Sequence, residues 1–250
     1  MRSCLCAAVV VFGWAGCGVS EPVTAPPLAV APEPVTTQPA VRADGWWHAR
    51  VESDLAAARA GGHRLVLLGD SITQGWNKAG AEVWRELWAP RKTLNLGVSG
   101  DRTQHVLWRL DHGLLEALAA ANNDVRAVVV MIGTNNSGGD TAEDIAAGIA
   151  TIVRRLRTGL PKAKVLLLSI FPRSEKPDAQ RAKCAAASEL AARAFAGDAM
   201  VVCRDLGAHF VGADGTIHED VMPDFLHLSP AAYRTWAQAM LADVDALLAK

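Results

Sequence analysis

The chain carries almost no net charge. Lys and Arg number 25 against 26 Asp and Glu, which leaves −1 at pH 7. A nucleic-acid binder needs a strongly basic face, so that class is disfavoured, and nothing marks an electrostatic membrane anchor. Cysteine is scarce where a fold would use it. Cys4, Cys6 and Cys17 fall in the first seventeen residues, and only Cys184 and Cys203 lie beyond them. Neither has a Cys or His neighbour at ligand spacing, so no metal site is marked. Both read as small buried apolar residues, with one disulfide between them left open. Internal repeats are absent. The long uncharged run, Ser3 to Ser20, is short for a membrane span and interrupted by Gly.

That run is better read as an exported leader: Met1-Arg2 is weakly positive, the centre is apolar and the end is small. Residues 1–17 are therefore expected to be a signal peptide. Trp14-Ala15-Gly16-Cys17 resembles a bacterial lipobox, which would make Cys17 a lipidated first residue and give a lipid anchor at the cell envelope; without lipidation the protein would be secreted. Residues 18–45 hold Pro22, Pro26, Pro27, Pro32, Pro34 and Pro39 among Ala, Val and Thr. This composition predicts an extended spacer rather than a packed element.

Residues 46–250 are long enough for one sizeable α/β domain. Short apolar runs predict strands at Arg64-Leu68, Thr93-Leu96, Ala127-Ile132, Lys164-Ile170 and Met200-Arg204. Helical patterns lie between them. Thr141-Ala142-Glu143-Asp144 opens one helix with a capping pattern, and the last starts near Pro230. Strands separated by helices imply a parallel sheet covered on both faces. Ligands of such sheets bind at the carboxyl ends of the strands.

Chemistry-bearing turns sit at those ends. Leu65-Val66-Leu67-Leu68 runs into Gly69-Asp70-Ser71-Ile72, a strand-to-helix turn that can present the Ser71 hydroxyl clear of its neighbours. Gly, Asp and Ser are ordinary turn residues, and the tripeptide alone says little. It gains meaning from its company: Asn95 to Asp101 after the second strand, Gly133-Thr134-Asn135-Asn136 after the third, and Asp224-Phe225-Leu226-His227 before the last helix.

With these turns in this order, the chain resembles the GDSL family, also called SGNH hydrolases, whose name matches Ser71, Gly100, Asn135 and His227. Within that family the stretch Gly100 to Leu110, Phe171-Pro172-Arg173 with Glu175-Lys176-Pro177, and Asp224 to Leu228 are similar to intracellular platelet-activating-factor acetylhydrolases. Ile72 stands where the family name has Leu. The resemblance implies a three-layer, flavodoxin-like fold with five parallel strands, a serine esterase acting on short acyl esters, and a homodimer. It implies no cofactor.

Acyl transfer needs a nucleophile, a base, a group that orients the base, and donors for the oxyanion. Ser71 is the expected nucleophile, His227 the base and Asp224 the orienting carboxylate. The Ser71 N–H, Gly100 and the Asn135 amide are the expected oxyanion donors. Asn135 could instead cap the turn toward Asp140. Ile72, Thr134 and Leu226, each beside a catalytic residue, are expected to wall the acyl pocket. Trp84, Trp88 and Trp108 read as core, and Trp76 could reach the mouth of the site. The expected substrate is a small ester or an acetylated glycan or lipid, with the envelope address favouring a glycan. The rivals are a longer-chain lipase or thioesterase and a carbohydrate-binding module that has lost catalysis; the complete set of five site residues speaks against the last.

Overall fold

The structure is a computed structural model and describes residues 33–249. The leader, Cys17 and the first part of the expected spacer lie outside the described residues. The five strands are β1 Leu65–Gly69, β2 Thr93–Gly97, β3 Ala127–Met131, β4 Lys164–Leu168 and β5 Val201–Arg204. They form one parallel sheet in the order β2-β1-β3-β4-β5. Each lies within a residue or two of its expected place. β4 ends before Ile170, whose N–H turns away to the Ser188 hydroxyl at 2.9 Å.

The helices are α1 Gly45–Ala60, α2 Ser71–Gln74, α3 Ala81–Val83, α4 Thr103–Arg109, α5 Leu115–Ala119, α6 Ala142–Gly159, α7 Ala179–Arg193 and α8 Pro230–Leu248. Thr141 caps α6 by accepting from the Asp144 N–H at 3.1 Å, and Ser229 caps α8 by accepting from Ala232 at 3.2 Å. Pro230 then takes the first helical position, where its missing N–H costs nothing.

Alternate strand residues face opposite sides, so the sheet divides two cores. Val66, Leu68, Val128, Val130, Val165 and Leu167 pack under helices α1 and α4 to α7. Leu65, Leu67, Val129, Met131, Leu166 and Leu168 pack against α8 and a cluster of Trp76, Trp88, Tyr233 and Trp236. Both faces are covered, as the near-continuous apolar strands require. Trp76 belongs wholly to this second core, fully buried with its ring 4.8 Å from that of Trp236, and does not reach the site mouth. Trp88 is fully buried there as well, while Trp84 and Trp108 are half-buried. Cys184 and Cys203 are both free thiols.

The expected spacer is corrected over its second part. The compact unit begins at Glu33, not Trp46. Val35–Thr37 form a turn of 3₁₀ helix. Buried Thr36 donates its hydroxyl to the Asp144 carbonyl at 2.6 Å, and its own carbonyl accepts from the Thr103 hydroxyl at 2.9 Å. Farther on, the Ala40 N–H donates to the Gln104 carbonyl at 3.0 Å. Proline content signalled the lack of a regular element. It did not signal that Thr36 and the polar main chain find partners on α4 and α6.

Candidate active site

The strand order reverses at β1, with β2 on one side and β3 on the other. This is the crevice where ligands of open parallel sheets bind. Ser71 follows β1, Gly100 follows β2 and Asn135 follows β3, so all three stand at this edge. Gly69, at the end of β1, has no room for a side chain: a Cβ would collide with the Thr73 hydroxyl and the Met131 carbonyl. That close approach lets the chain turn at once from strand to helix. Asp70 caps the turn, its carboxylate accepting from the Ile72 N–H at 3.0 Å. From beneath, the Tyr233 hydroxyl donates to the Ile72 carbonyl at 2.6 Å. The Ser71 side chain is thus carried on a turn fixed from both sides.

His227, the expected base, stands in the loop before α8. Asp224 Oδ1 accepts from the main-chain N–H groups of Leu226 at 3.1 Å and His227 at 2.7 Å. This tight turn folds the His227 ring back onto the same carboxylate, with Nδ1 2.6 Å from Asp224 Oδ2. The other ring nitrogen, Nε2, lies 2.9 Å from Ser71 Oγ. Phe225 adopts a left-handed conformation, φ 58°, and its carbonyl accepts from the Ser174 N–H at 2.8 Å. A non-glycine residue there is unusual, and the contact with Ser174 helps to hold it. Burial pushes the Asp224 carboxyl up, but the hydrogen bonds from the His227 ring and N–H outweigh it and hold the group below the usual carboxylate range. Asp224 is therefore ionised at neutral pH and suited to hold the Nδ1 proton.

Gly100 adopts φ 75°, a region that favours glycine, and its surface is exposed. No main-chain acceptor among the described residues takes its N–H. The Asn135 amide donates one N–H to the Asp101 carbonyl at 2.9 Å, which orients the group and leaves its second N–H available. The capping role considered for Asn135 belongs to Asn136, whose amide donates to Asp140 Oδ2 at 2.9 Å and whose oxygen accepts from the Thr103 N–H at 3.0 Å. Gln74 on α2 accepts from the Ser99 N–H at 2.6 Å and so ties the Ser71 turn to the Gly100 loop.

The expected acyl wall is corrected in part. Ile72 is 1% exposed and packs in the core with Trp76 and Met131. Thr134 is 2% exposed, and both its hydroxyl and its carbonyl accept from Arg173 at 3.2 Å. Leu226 alone of the three keeps exposed surface, half-buried against the second core.

Several supporting residues escaped the sequence reading: Arg42, Asp54, Asp70, Asp101, Arg109 and Arg173. Arg42 comes from the expected spacer and donates to the Ser99 carbonyl at 2.7 Å. Burial pushes Asp70 up to about 7, against the pull of the Ile72 N–H. Burial likewise raises Asp54 to about 6, although Arg50 and Arg109 pull it down. The Gly100–Leu110 stretch was the only signal for Asp101 and Arg109, and it named no role for them. No group of three or more His, Cys, Asp or Glu among the described residues is arranged to hold a metal ion.

The model of the GDSL-like lipase/acylhydrolase family matches residues 67–235. The human platelet-activating factor acetylhydrolase IB subunit alpha1 is 38% identical over 210 residues, covering 84% of this chain and 87% of that protein. The chicken (Gallus gallus) alpha2 subunit is 43% identical over 169 residues, 68% of this chain and 70% of that protein. Among solved structures, a GDSL-like lipase from Bacteroides thetaiotaomicron has a TM-score of 0.60 at 19% identity, over 79% of this chain and 97% of that one. An acetylxylan esterase from Geobacillus stearothermophilus, in a catalytic-mutant form, has a TM-score of 0.57 at 17% identity, over 74% of this chain and 94% of that one. The structural likenesses speak for the fold; the sequence matches speak for more. The chain belongs to the GDSL-like lipase/acylhydrolase family and is a hydrolase.

Proposed function

We propose that the protein is a serine esterase that removes short acyl groups, acetyl above all, through an acyl-enzyme on Ser71. The observation that carries this is the unbroken chain from Ser71 Oγ to His227 Nε2 at 2.9 Å and from Nδ1 to Asp224 Oδ2 at 2.6 Å. His227 takes the Ser71 proton as the hydroxyl attacks the ester carbonyl, and Asp224 stabilises the imidazolium. The Ser71 and Gly100 N–H groups and the free Asn135 N–H receive the developing oxyanion; one such donor is typically worth ~100- to 1,000-fold in rate. His227 then gives its proton to the leaving alcohol. Water, activated by the same base, releases the acid and restores Ser71.

A short acyl group and a bulky alcohol fit the setting. The side chains of His227 and Asp224 are 44% and 56% exposed. A cavity of about 460 Å³ opens between α7 and the ends of β4 and β5, and neither Ser71 nor His227 lines it. The exposure of the His227 and Asp224 side chains supports an alcohol side open to solvent, as a substituent on a glycan or lipid requires. Relatives named for acetylhydrolase and acetylxylan esterase activity support an acetyl group. The uncharged run from Ser3 to Ser20 supports an envelope address, where the alcohol is a glycan or lipid and Cys17 is the anchor point. A homodimer, as the resemblance implies, is part of the same proposal.

The test is hydrolysis of a chromogenic acetyl ester by the wild type and by Ser71→Ala, followed by acetylated glycan against acetylated phospholipid. Ser71→Ala should lose nearly all turnover and keep its fold. Substantial turnover by that variant would end the proposal.

A further inference from the structure

A cluster of charged side chains, with Arg109, Asp101 and Asp54 buried and Arg50 and Arg42 half-buried, lies beside the turns that carry Ser71 and Gly100, and the mechanism above makes no use of it; Arg42 Nη1 is 3.5 Å from Asp101 Oδ1. Arg109, the last residue of α4, has a side chain with no exposed surface. Its guanidinium reaches across the ends of two strands, donating to the Leu96 carbonyl of β2 at 3.0 Å and the Gly69 carbonyl of β1 at 3.4 Å. Nη2 also lies 2.9 Å from Asp101 Oδ2, an ion pair that is close without the alignment of a hydrogen bond. Asp101 is equally buried, and its other oxygen accepts from the Trp47 indole N–H at 2.7 Å. Asp54 stands 3.9 Å from Arg109 and is paired in turn with Arg50 at 2.9 Å.

Two arms of this set lead toward the proposed oxyanion donors. Gly69 is two residues before Ser71. Asp101 follows Gly100 in the chain, and its carbonyl receives the Asn135 amide at 2.9 Å. One planar side chain therefore bridges the end of β1, two residues before Ser71, and Asp101, which follows Gly100 and receives the Asn135 amide. Apolar residues could fill the same space. A buried ion pair is weak evidence for stability, since its desolvation offsets its attraction, whereas a rigid fork aimed at two carbonyls and a carboxylate sets geometry.

We propose that Arg109, acting through Asp101 and the Gly69 carbonyl, is a positioning residue that holds the three oxyanion donors at one spacing. The proposal rests on the esterase reading of Ser71, and its test is separate from that one. Donors must sit within a few tenths of an ångström of the place where the oxyanion forms. Loosening the fork should therefore slow chemistry and leave substrate binding nearly unchanged.

The experiment uses full-length Arg109→Lys, Arg109→Met and the double variant Arg109→Met with Asp101→Asn. The double variant removes both charges, so no carboxylate is left buried and unpaired, and Asn keeps an acceptor for Trp47. Active sites are counted by titration with an organophosphonate, so that a smaller folded fraction is not read as slower catalysis. The readouts are kcat and KM on an acetyl ester, and the affinity for a trifluoromethyl ketone that forms a tetrahedral adduct. In every variant that folds, kcat per active site should fall ~10- to 100-fold with KM within about threefold. Ketone affinity should fall by the same factor as kcat/KM, because both report the oxyanion site. The acid limb of the pH profile should not move. Folded variants with wild-type kcat, or a loss carried by KM with ketone affinity intact, would overturn the proposal. So would failure of all three variants to fold, which would make Arg109 a residue of the fold alone.

Discussion

Asp70 makes a measurable demand on stability, and Asp70→Asn should relieve it. The carboxylate is fully buried one residue before Ser71, and burial pushes it up to about 7 from an ordinary 3.8. The folded value lies above the unfolded one, so the folded chain binds more protons between about pH 4 and pH 7, and stability falls as pH rises through that window. Three units correspond to ~4 kcal/mol at most. Asn keeps the oxygen that accepts from the Ile72 N–H at 3.0 Å and carries no charge. Its new N–H₂ brings a desolvation cost of its own, ~1–3 kcal/mol if unpartnered. That cost does not depend on pH, so it cancels when the variant is compared with the wild type at two pH values. Asp54 and the other carboxylates titrate in both proteins and cancel too. The assay is urea unfolding of both proteins at pH 5 and pH 8. Two units of the window lie between those points, so the stability of Asp70→Asn relative to wild type should rise by ~2–3 kcal/mol from pH 5 to pH 8. A relative stability unchanged between the two would refute the reasoning, since it would mean that Asp70 titrates as an exposed carboxylate does.

The strands and the catalytic turns were legible because each rests on local chemistry. Runs such as Val128-Val129-Val130 have nowhere to go but a sheet buried on both faces, and they end where Gly, Asn or Asp allows a turn. Asp224 and His227 are three residues apart, so one turn brings them together. The rest depended on contacts between distant segments. Arg109 lies in Val106-Leu107-Trp108-Arg109-Leu110, where a charge ordinarily marks the solvent side of a helix; only the β1 and β2 ends, 40 and 13 residues away in sequence, give it carbonyls to bind in the interior. Residues 33–45 read as a spacer because Pro disfavours regular elements, while the hydrogen bond that fixes Thr36 goes from its hydroxyl to the Asp144 carbonyl, 108 residues on. Ile72 and Trp76 were placed near the site by proximity in sequence, yet Ile72 on α2 and Trp76 in the 3₁₀ turn that follows it both pack into the core. Nearness along the chain predicted side-chain directions poorly.

Two further predictions bear on the site itself. Asp224→Asn keeps an acceptor for the Leu226 and His227 N–H groups but loses the charge that holds the Nδ1 proton, so kcat should fall ~100- to 10,000-fold with the fold retained; a kcat within threefold of wild type would remove Asp224 from the mechanism. Leu226→Ala should widen the acyl range. Leu226 is the one residue of the expected wall that keeps exposed surface beside His227, and its half-burial makes truncation tolerable. If its side chain limits the acyl group, its removal makes room for the methylenes of a butyryl chain, and each admitted methylene is worth ~1–3 kcal/mol of discrimination. The ratio of kcat/KM for butyryl over acetyl ester should then rise at least ~10-fold. Ile72→Ala is the contrast. Its side chain lies in the core with Trp76 and Met131, so its loss should cost ~2–5 kcal/mol of stability and lower all chain lengths together. A folded Leu226→Ala protein with the wild-type acetyl preference would show that the acyl group is limited elsewhere, and a shift in preference in Ile72→Ala in place of Leu226→Ala would show that the acyl group enters the core side of α2.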